Sequence, residues 1–310
     1  MDLRFITSDP SRLAALLSGQ VDAIENVPVA DLARVSRMQN VQVFSKVSHR
    51  IIYLALDHER DDSPYIRGPD GKPLGKNPFK DLRVRQAINK AINRESIAKK
   101  VMEGLGRPTA NLVPAPMFGY NNALPVERFD PIKARQLMAD AGYVDGFGVT
   151  IHGPNDRYVN DEQIVQAVAG MLSGVLRLKI SVETMPASVF FSKANRNEFT
   201  MLLAGWGSQT GEVSSPLRSL IATVDKSKGM GTSNFGRYSN PKVDALIEIG
   251  LRTVDDRKRE ELFKNAVAIA VSDVALIPLH HQVVTWAARK GITYVPRTDE
   301  RTYAHQFTQR

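Results

Sequence analysis

Side chains suited to acid–base, nucleophilic or metal chemistry fall into few close groupings in this sequence. His280-His281 is the only adjacent histidine pair. Neighbours on an extended strand point to opposite faces, so the two cannot hold one ion there without distortion; one packed and one exposed histidine is expected. Asp61-Asp62 lies in a polar loop, and Asp255-Asp256 stands where a helix begins, which capping and the helix dipole explain without catalysis. Gly229-Met230-Gly231 is followed by Thr232-Ser233-Asn234 rather than by a phosphate-binding helix start, and reads as a turn. No G-x-S-x-G elbow, H-E-x-x-H, Walker lysine loop or G-x-G-x-x-G after a strand is present. Zero cysteines exclude disulfides, thiolate zinc sites, Fe–S clusters and Cys nucleophiles, and suit an oxidising compartment or a bacterial envelope. The expectation is a protein with no catalytic residue, no metal and no cofactor.

One segment calls for a binding interpretation. In Leu202-Leu203-Ala204-Gly205-Trp206-Gly207-Ser208-Gln209-Thr210-Gly211-Glu212 an apolar strand ends in a tryptophan and runs into small polar residues and a carboxylate. Ligands of open α/β sheets gather at the loops leaving the strands' carboxyl ends. There Trp206 would offer a flat apolar wall, and Ser208, Gln209, Thr210 and Glu212 would orient a polar ligand. A core tryptophan followed by an ordinary turn accounts for the same residues. A hydrolase built on Glu212 or Asp156 is the rival of another class.

The elements that would position this segment can be read from periodicity and punctuation. Leu3–Ile6 is a short strand candidate, Asp9-Pro10 opens a helix with Leu13, Leu16 and Leu17 on one side, and Gly19 stops it. Val41–Val47 and Ile51–Leu56 are two strand candidates separated by Ser48-His49-Arg50. Asp81 caps a helix whose inner face is Val84, Ala87, Ile88, Ala91 and Ile92, with Arg83, Arg85 and Lys90 expected toward solvent. Asn93 caps the next helix, and Asp130-Pro131 begins another that Gly142 closes. Val149–His152, Lys179–Glu183 and Thr200–Ala204 read as strands, with helices near 161–176, 188–196, after Asn240-Pro241 and over Asp256–Ser272. Ala275–Ala287 is a long final strand candidate. This alternation predicts an α/β architecture.

Composition sets the outer limits. The 310 residues are 43% hydrophobic and 24% charged, enough for a sizeable core in one large or two ordinary domains. No apolar run approaches the ~18–20 residues of a membrane helix. The net charge of +8 is uneven: residues 60–107 carry twelve Lys/Arg against six Asp/Glu, with only Tyr65 and Phe79 as aromatics. That composition gives bases nothing to stack on and shows no nucleic-acid module, so a solvated basic face is the reading and no nucleic-acid partner is expected.

Several segments resemble one family in its own order along the whole chain. They are Leu17-Ser18-Gly19-Gln20-Val21-Asp22-Ala23-Ile24, the block from Asn77-Pro78-Phe79 through Arg83-Val84-Arg85-Gln86-Ala87-Ile88 to Ala91-Ile92-Asn93-Arg94, the run from Asp130-Pro131 to Ala141-Gly142-Tyr143, Ser239-Asn240-Pro241-Lys242-Val243-Asp244, and Ile277-Pro278-Leu279. The sequence is similar to the extracytoplasmic solute-binding proteins of ABC importers, family 5, the peptide, glutathione and nickel group. The Pro-Phe block is the specific part of the match.

The resemblance implies a two-lobed type II periplasmic-binding-protein clamshell with one lobe incomplete. Residues 1–46 would be a C-terminal remnant of lobe I, 47–277 lobe II, and 278–310 the return to lobe I, with hinge crossings at Val41–Leu56 and Ala275–Ala287. It implies a periplasmic receptor that binds a small peptide or peptide-like solute and delivers it to membrane permease subunits. Met1-Asp2-Leu3-Arg4-Phe5 has neither the basic nor the apolar region of a secretion signal. The resemblance attributes this to N-terminal truncation, and leaves apolar faces of 1–46 and 278–310 short of cover. It places Arg157 in the loop where relatives set an arginine against a ligand carboxylate, which a guanidinium suits through paired hydrogen bonds. Tyr158 is a second candidate wall. Gln209 stands three residues after Trp206, where peptide-binding relatives carry an Asp for the peptide amino group. Glu212 would supply that carboxylate instead, a pattern more similar to glutathione-binding members, so a glutathione-type or other anionic solute is the alternative ligand the resemblance implies.

Overall fold

The computed structural model describes residues 2–309, which build one mixed eight-stranded sheet, a separate two-stranded ribbon and flanking helices. In chain order the strands are β1 (Ala23–Glu25), β2 (Val41–Leu56), β3 (Ile66–Arg67), β4 (Gly106–Pro108), β5 (Gly148–Pro154), β6 (Lys179–Met185), β7 (Met201–Gly207), β8 (Ile277–Arg289), β9 (Ile292–Tyr294) and β10 (Phe307–Gln309). The large sheet runs β1-β8-β2-β7-β5-β3, with β4 beside β8 and β6 beside β5. β7, β5 and β6 are parallel, whereas β2 runs antiparallel to both β7 and β8. The alternation of strands and helices thus gives the expected α/β class with an antiparallel spine of two long strands.

Period-two alternation along β2 separates two cores. Ile52, Leu54 and Leu56 join Val149 and Ile151 of β5, the Leu82–Ala91 helix and the Asp161–Leu176 helix on one face. Ile51, Tyr53 and Ala55 face Phe190, Val243, Ile247 and Phe263 on the other. Beyond residue 50 in the N-terminal direction the sheet carries different cores. One is Leu13, Leu16, Ile24, Val35, Val41 and Ala287; the other is Val284, Trp286 and Tyr294.

Between the two pairs of cores lies Ser48-His49-Arg50. The structure makes residues 41–56 one strand, where the sequence suggested two. Val47 pairs with Val283 and Ile51 with His281, so three residues of β2 stand opposite Gln282 alone. This bulge keeps its hydrogen bonds, because the Ser48 hydroxyl accepts from Arg50 N at 2.8 Å and His49 N donates to the Thr298 carbonyl at 3.0 Å. The chain needs no turn there, so the strand continues.

Other expectations are corrected. Leu3–Ile6 is not a strand: no neighbouring strand offers a ladder, and Phe5 is 90% exposed. The first helix is capped one residue earlier than expected, by Ser8. Arg85 does not face solvent; it is 7% exposed and donates to the carbonyls of Asp273, Phe79 and Lys80 at 2.8–3.2 Å. His280 and His281 are both buried, so the expected exposed member of the pair is absent and both faces of β8 are covered there. The ends of the chain are mostly covered by their own clusters, with Leu3, Phe5 and Val295 the large apolar residues of those segments left open.

Candidate functional site

The carboxyl end of β7 meets the bulge of β2, and two glycines permit the approach. A Cβ at Gly205 would lie 2.8 Å from both Ile52 Cδ1 and Tyr158 Cε1, and a Cβ at Gly207 would lie 2.8 Å from His49 Cε1. Tyr158 therefore packs closely against one glycine and His49 against the other. Trp206, between them, leaves the opposite face and packs against the second core, its Nε1 donating to Ser215 Oγ at 3.1 Å. Trp206 and Tyr158 are therefore not two walls of one pocket, because a strand sends successive side chains to opposite faces.

Tyr158 is buried and its hydroxyl donates to the Gly205 carbonyl at 3.1 Å. Asp161, also buried, holds the preceding turn by accepting from Arg157 N and Tyr158 N, each at 2.9 Å. Burial pushes the Asp161 carboxyl up, and those backbone donors offset it only in part. The Arg157 guanidinium is exposed and lies 5.3 Å from the Tyr158 ring centre, with that of Arg50 at 5.7 Å.

Arg50 is the anchor of the site, and its partner comes from the far end of the chain. Its Nε stands 3.0 Å from both Glu300 oxygens and its Nη2 2.6 Å from one, while the Ser48 hydroxyl donates to the other at 2.6 Å. Burial opposes ionisation of Glu300 most strongly, but the hydrogen bonds and charge of Arg50 together with the Ser48 hydroxyl outweigh it, and the carboxyl titrates below its ordinary range. This pair fastens the segment after β9 across the bulge.

A cleft of about 450 Å³ opens between that segment and the loop after β7. Its walls include Lys46, His49, Ser208, Gln209, Arg297 and Asp299. Ser208 is buried, with its hydroxyl on the Glu212 carbonyl, while Gln209 and Thr210 are exposed. Glu212 is turned away from the cleft's chemistry: its carboxylate is held by Arg259 and by the Ser214 hydroxyl. Asp156 is likewise engaged, accepting from Ala187 N at 2.7 Å at the start of the Ala187–Asn195 helix. Of the residues singled out from sequence, Ser208 and Gln209 line the cleft, Thr210 sits in the same loop, Arg157 and Tyr158 stand behind it through Arg50, and Trp206 and Glu212 serve the core side. His49 and Arg50 had one legible signal, the interruption of the apolar run 41–56. Lys46, Arg297, Asp299 and Glu300 had none. Among the described residues no three His, Cys, Asp or Glu side chains are grouped to hold a metal.

Comparison with known proteins gives this geometry a family. Residues 1–228 match the Bacterial extracellular solute-binding proteins, family 5 Middle. The chain belongs to that family. Among family 5 relatives, Heme-binding protein A of Haemophilus influenzae is 29% identical over 278 residues, 88% of this chain and 47% of its own length. Di/tripeptide-binding protein 1 of Pseudomonas aeruginosa is 27% identical over 292 residues, 93% and 50% of the two chains. The fold is that of the periplasmic binding protein DppA from Helicobacter pylori, solved with the peptide STSA, at a TM-score of 0.80, 21% identity, and coverage of 94% of this chain and 52% of that one. This family 5 chain spans about half the length of the curated relatives it matches.

Proposed function

We propose that this family 5 chain is the solute-binding component of an ABC importer. It takes a small peptide or peptide-like solute in the cleft over the β2 bulge and presents it to a membrane permease from the periplasm. The observation that supports this reading is the cleft itself. It lies where two long strands pass from one pair of cores to the other, and one wall comes from each side of that passage. Residues 1–46, 47–277 and 278–310 then act as lobe I, lobe II and the return to lobe I, with β2 and β8 as crossings. Receptors of this kind close because the ligand binds the closed arrangement more tightly.

Ser208, Gln209 and Thr210 supply polar contacts in this reading, with Arg157 and Tyr158 behind the cleft through Arg50, and Trp206 and Glu212 supporting the loop from the core side. The work is capture without chemistry on the solute. A thermal-shift panel of tripeptides and reduced glutathione tests it. A rise in melting temperature with at least one of these is expected, and Gln209→Trp, which fills the cleft from an exposed position, should remove it. Stabilisation that survives Gln209→Trp unchanged would refute the location. Recovery of cleaved products after denaturing the loaded protein would favour a hydrolase instead.

A further inference from the structure

The cleft has an uneven charge inventory. Asp299 is the acidic residue on its walls, and both its oxygens are taken by Arg297, Nε at 2.9 Å and Nη2 at 2.5 Å, with Arg301 N adding a third donor at 3.2 Å. Glu300, the next carboxylate behind the wall, is consumed by Arg50 and Ser48. Glu212, on the loop that forms the other wall, is consumed by Arg259 and Ser214. Lys46 is different. It is exposed on the cleft wall and makes no ion pair among the described residues. Beside it His49 is only 4% exposed, yet neither ring nitrogen has a hydrogen-bond partner. Burial, with Arg50 nearby, holds that ring neutral against the pull of Glu300. A neutral imidazole brings one N–H donor and one acceptor, and a buried polar group without a partner is costly to keep.

Resting on the reading of the cleft as the solute site, we infer that it grips its solute by an anionic end and needs no free α-ammonium. Lys46 is the counter-charge for a carboxylate; His49 lines the same cleft, and its covered N–H becomes the directional donor once the solute displaces what lies over the ring. A ligand ammonium entering the same space would meet no carboxylate free to accept it, and would shed water without compensation. A ligand carboxylate would meet an unpaired cation and an idle donor. The chemical class is therefore a carboxylate-bearing peptide-like solute whose amino end is blocked, acylated or linked through a side chain, as readily as a free peptide.

Titration calorimetry with tri-alanine, N-acetyl-tri-alanine and tri-alanine amide tests this on the chain as it stands, with reduced glutathione and its N-acetyl derivative in parallel. Acetylation should change affinity by less than about threefold, whereas amidation should weaken it by about tenfold or more. Lys46→Gln, at an exposed position, should weaken the acid to the level of the amide and leave the amide unchanged. Loss of binding on acetylation with tolerance of amidation would overturn the inference while leaving the cleft a solute site. Absence of binding by every one of these probes would overturn the solute-site reading and the inference with it.

Discussion

Gly205 and Gly207 show how little freedom a single position retains at this site. An added Cβ at Gly205 would press on Ile52 and Tyr158 side chains at 2.8 Å and on the Ile51 carbonyl at 3.1 Å. The side chains can shift, but the carbonyl belongs to a paired strand. Gly205→Ala should therefore destabilise the protein by about 1–3 kcal/mol, as overpacking does, read from the midpoint of urea unfolding. The Arg50–Glu300 pair makes a second residue-scale case. Both side chains are largely buried, so Glu300→Ala would strand the guanidinium without a charge partner. A loss of about 3–5 kcal/mol is expected, with Glu300→Gln losing less because it retains acceptor geometry. Equal stability of the wild type and Glu300→Ala would contradict the anchor. Neither residue could be assigned from sequence, since 250 positions separate them.

At the scale of elements, punctuation was readable and side-chain direction was not. Asp81, Asn93, Asp130, Asn240 and Asp255 all cap helices through side-chain oxygens, because that chemistry needs only the next two or three residues. Asp81→Ala should cost about 0.5–2 kcal/mol by removing the bond to Arg83 N. Arg83 faces solvent as its spacing suggested, whereas Arg85 of the same block, expected beside it, is buried. Arg85 clamps the carbonyl of Asp273, and Arg94 donates to Pro278 O at 2.7 Å and Asn89 O at 3.1 Å. They tie the Leu82–Ala91 helix region to the start of β8, some 180 residues later. Arg94→Met should expose β8 amides near residue 278 to faster hydrogen exchange and cost about 1–3 kcal/mol, because buried carbonyls lose their donors. Unchanged exchange there would show that the helix holds the strand by packing alone.

For the whole molecule, the histidines set the response to acid. His49, His58, His280 and His281 each have a buried ring nitrogen without a hydrogen-bond partner, and buried His152 has only Glu183, 3.3 Å from its Nε2. Burial lowers the pKa of His58 and His280 to about 3 and that of His281 to about 4, from an ordinary 6.5. The unfolded chain takes these protons near pH 6.5 and the folded chain refuses them until pH 3–4. Their contribution is thus intact above pH 6.5 and is lost progressively as pH falls toward 4. Urea midpoints measured from pH 7.5 to pH 4.5 should fall steadily, and His280→Leu should flatten that slope. A flat profile in the wild type would mean the imidazoles reach solvent.

Sequence by itself determined the α/β class, most helix starts, the family and the loop after β7, because each rests on local periodicity, short-range capping or a contiguous motif. Tertiary structure alone decided that Val41–Leu56 is one strand with a bulge, that Trp206 and Tyr158 part to opposite faces, and that Glu212 is spent on Arg259. It also brought Lys46, His49 and the segment 295–306 together around one cleft. Those outcomes depend on which groups become neighbours once the chain closes, and a buried charge or donor acquires its meaning only from the partner it finds there.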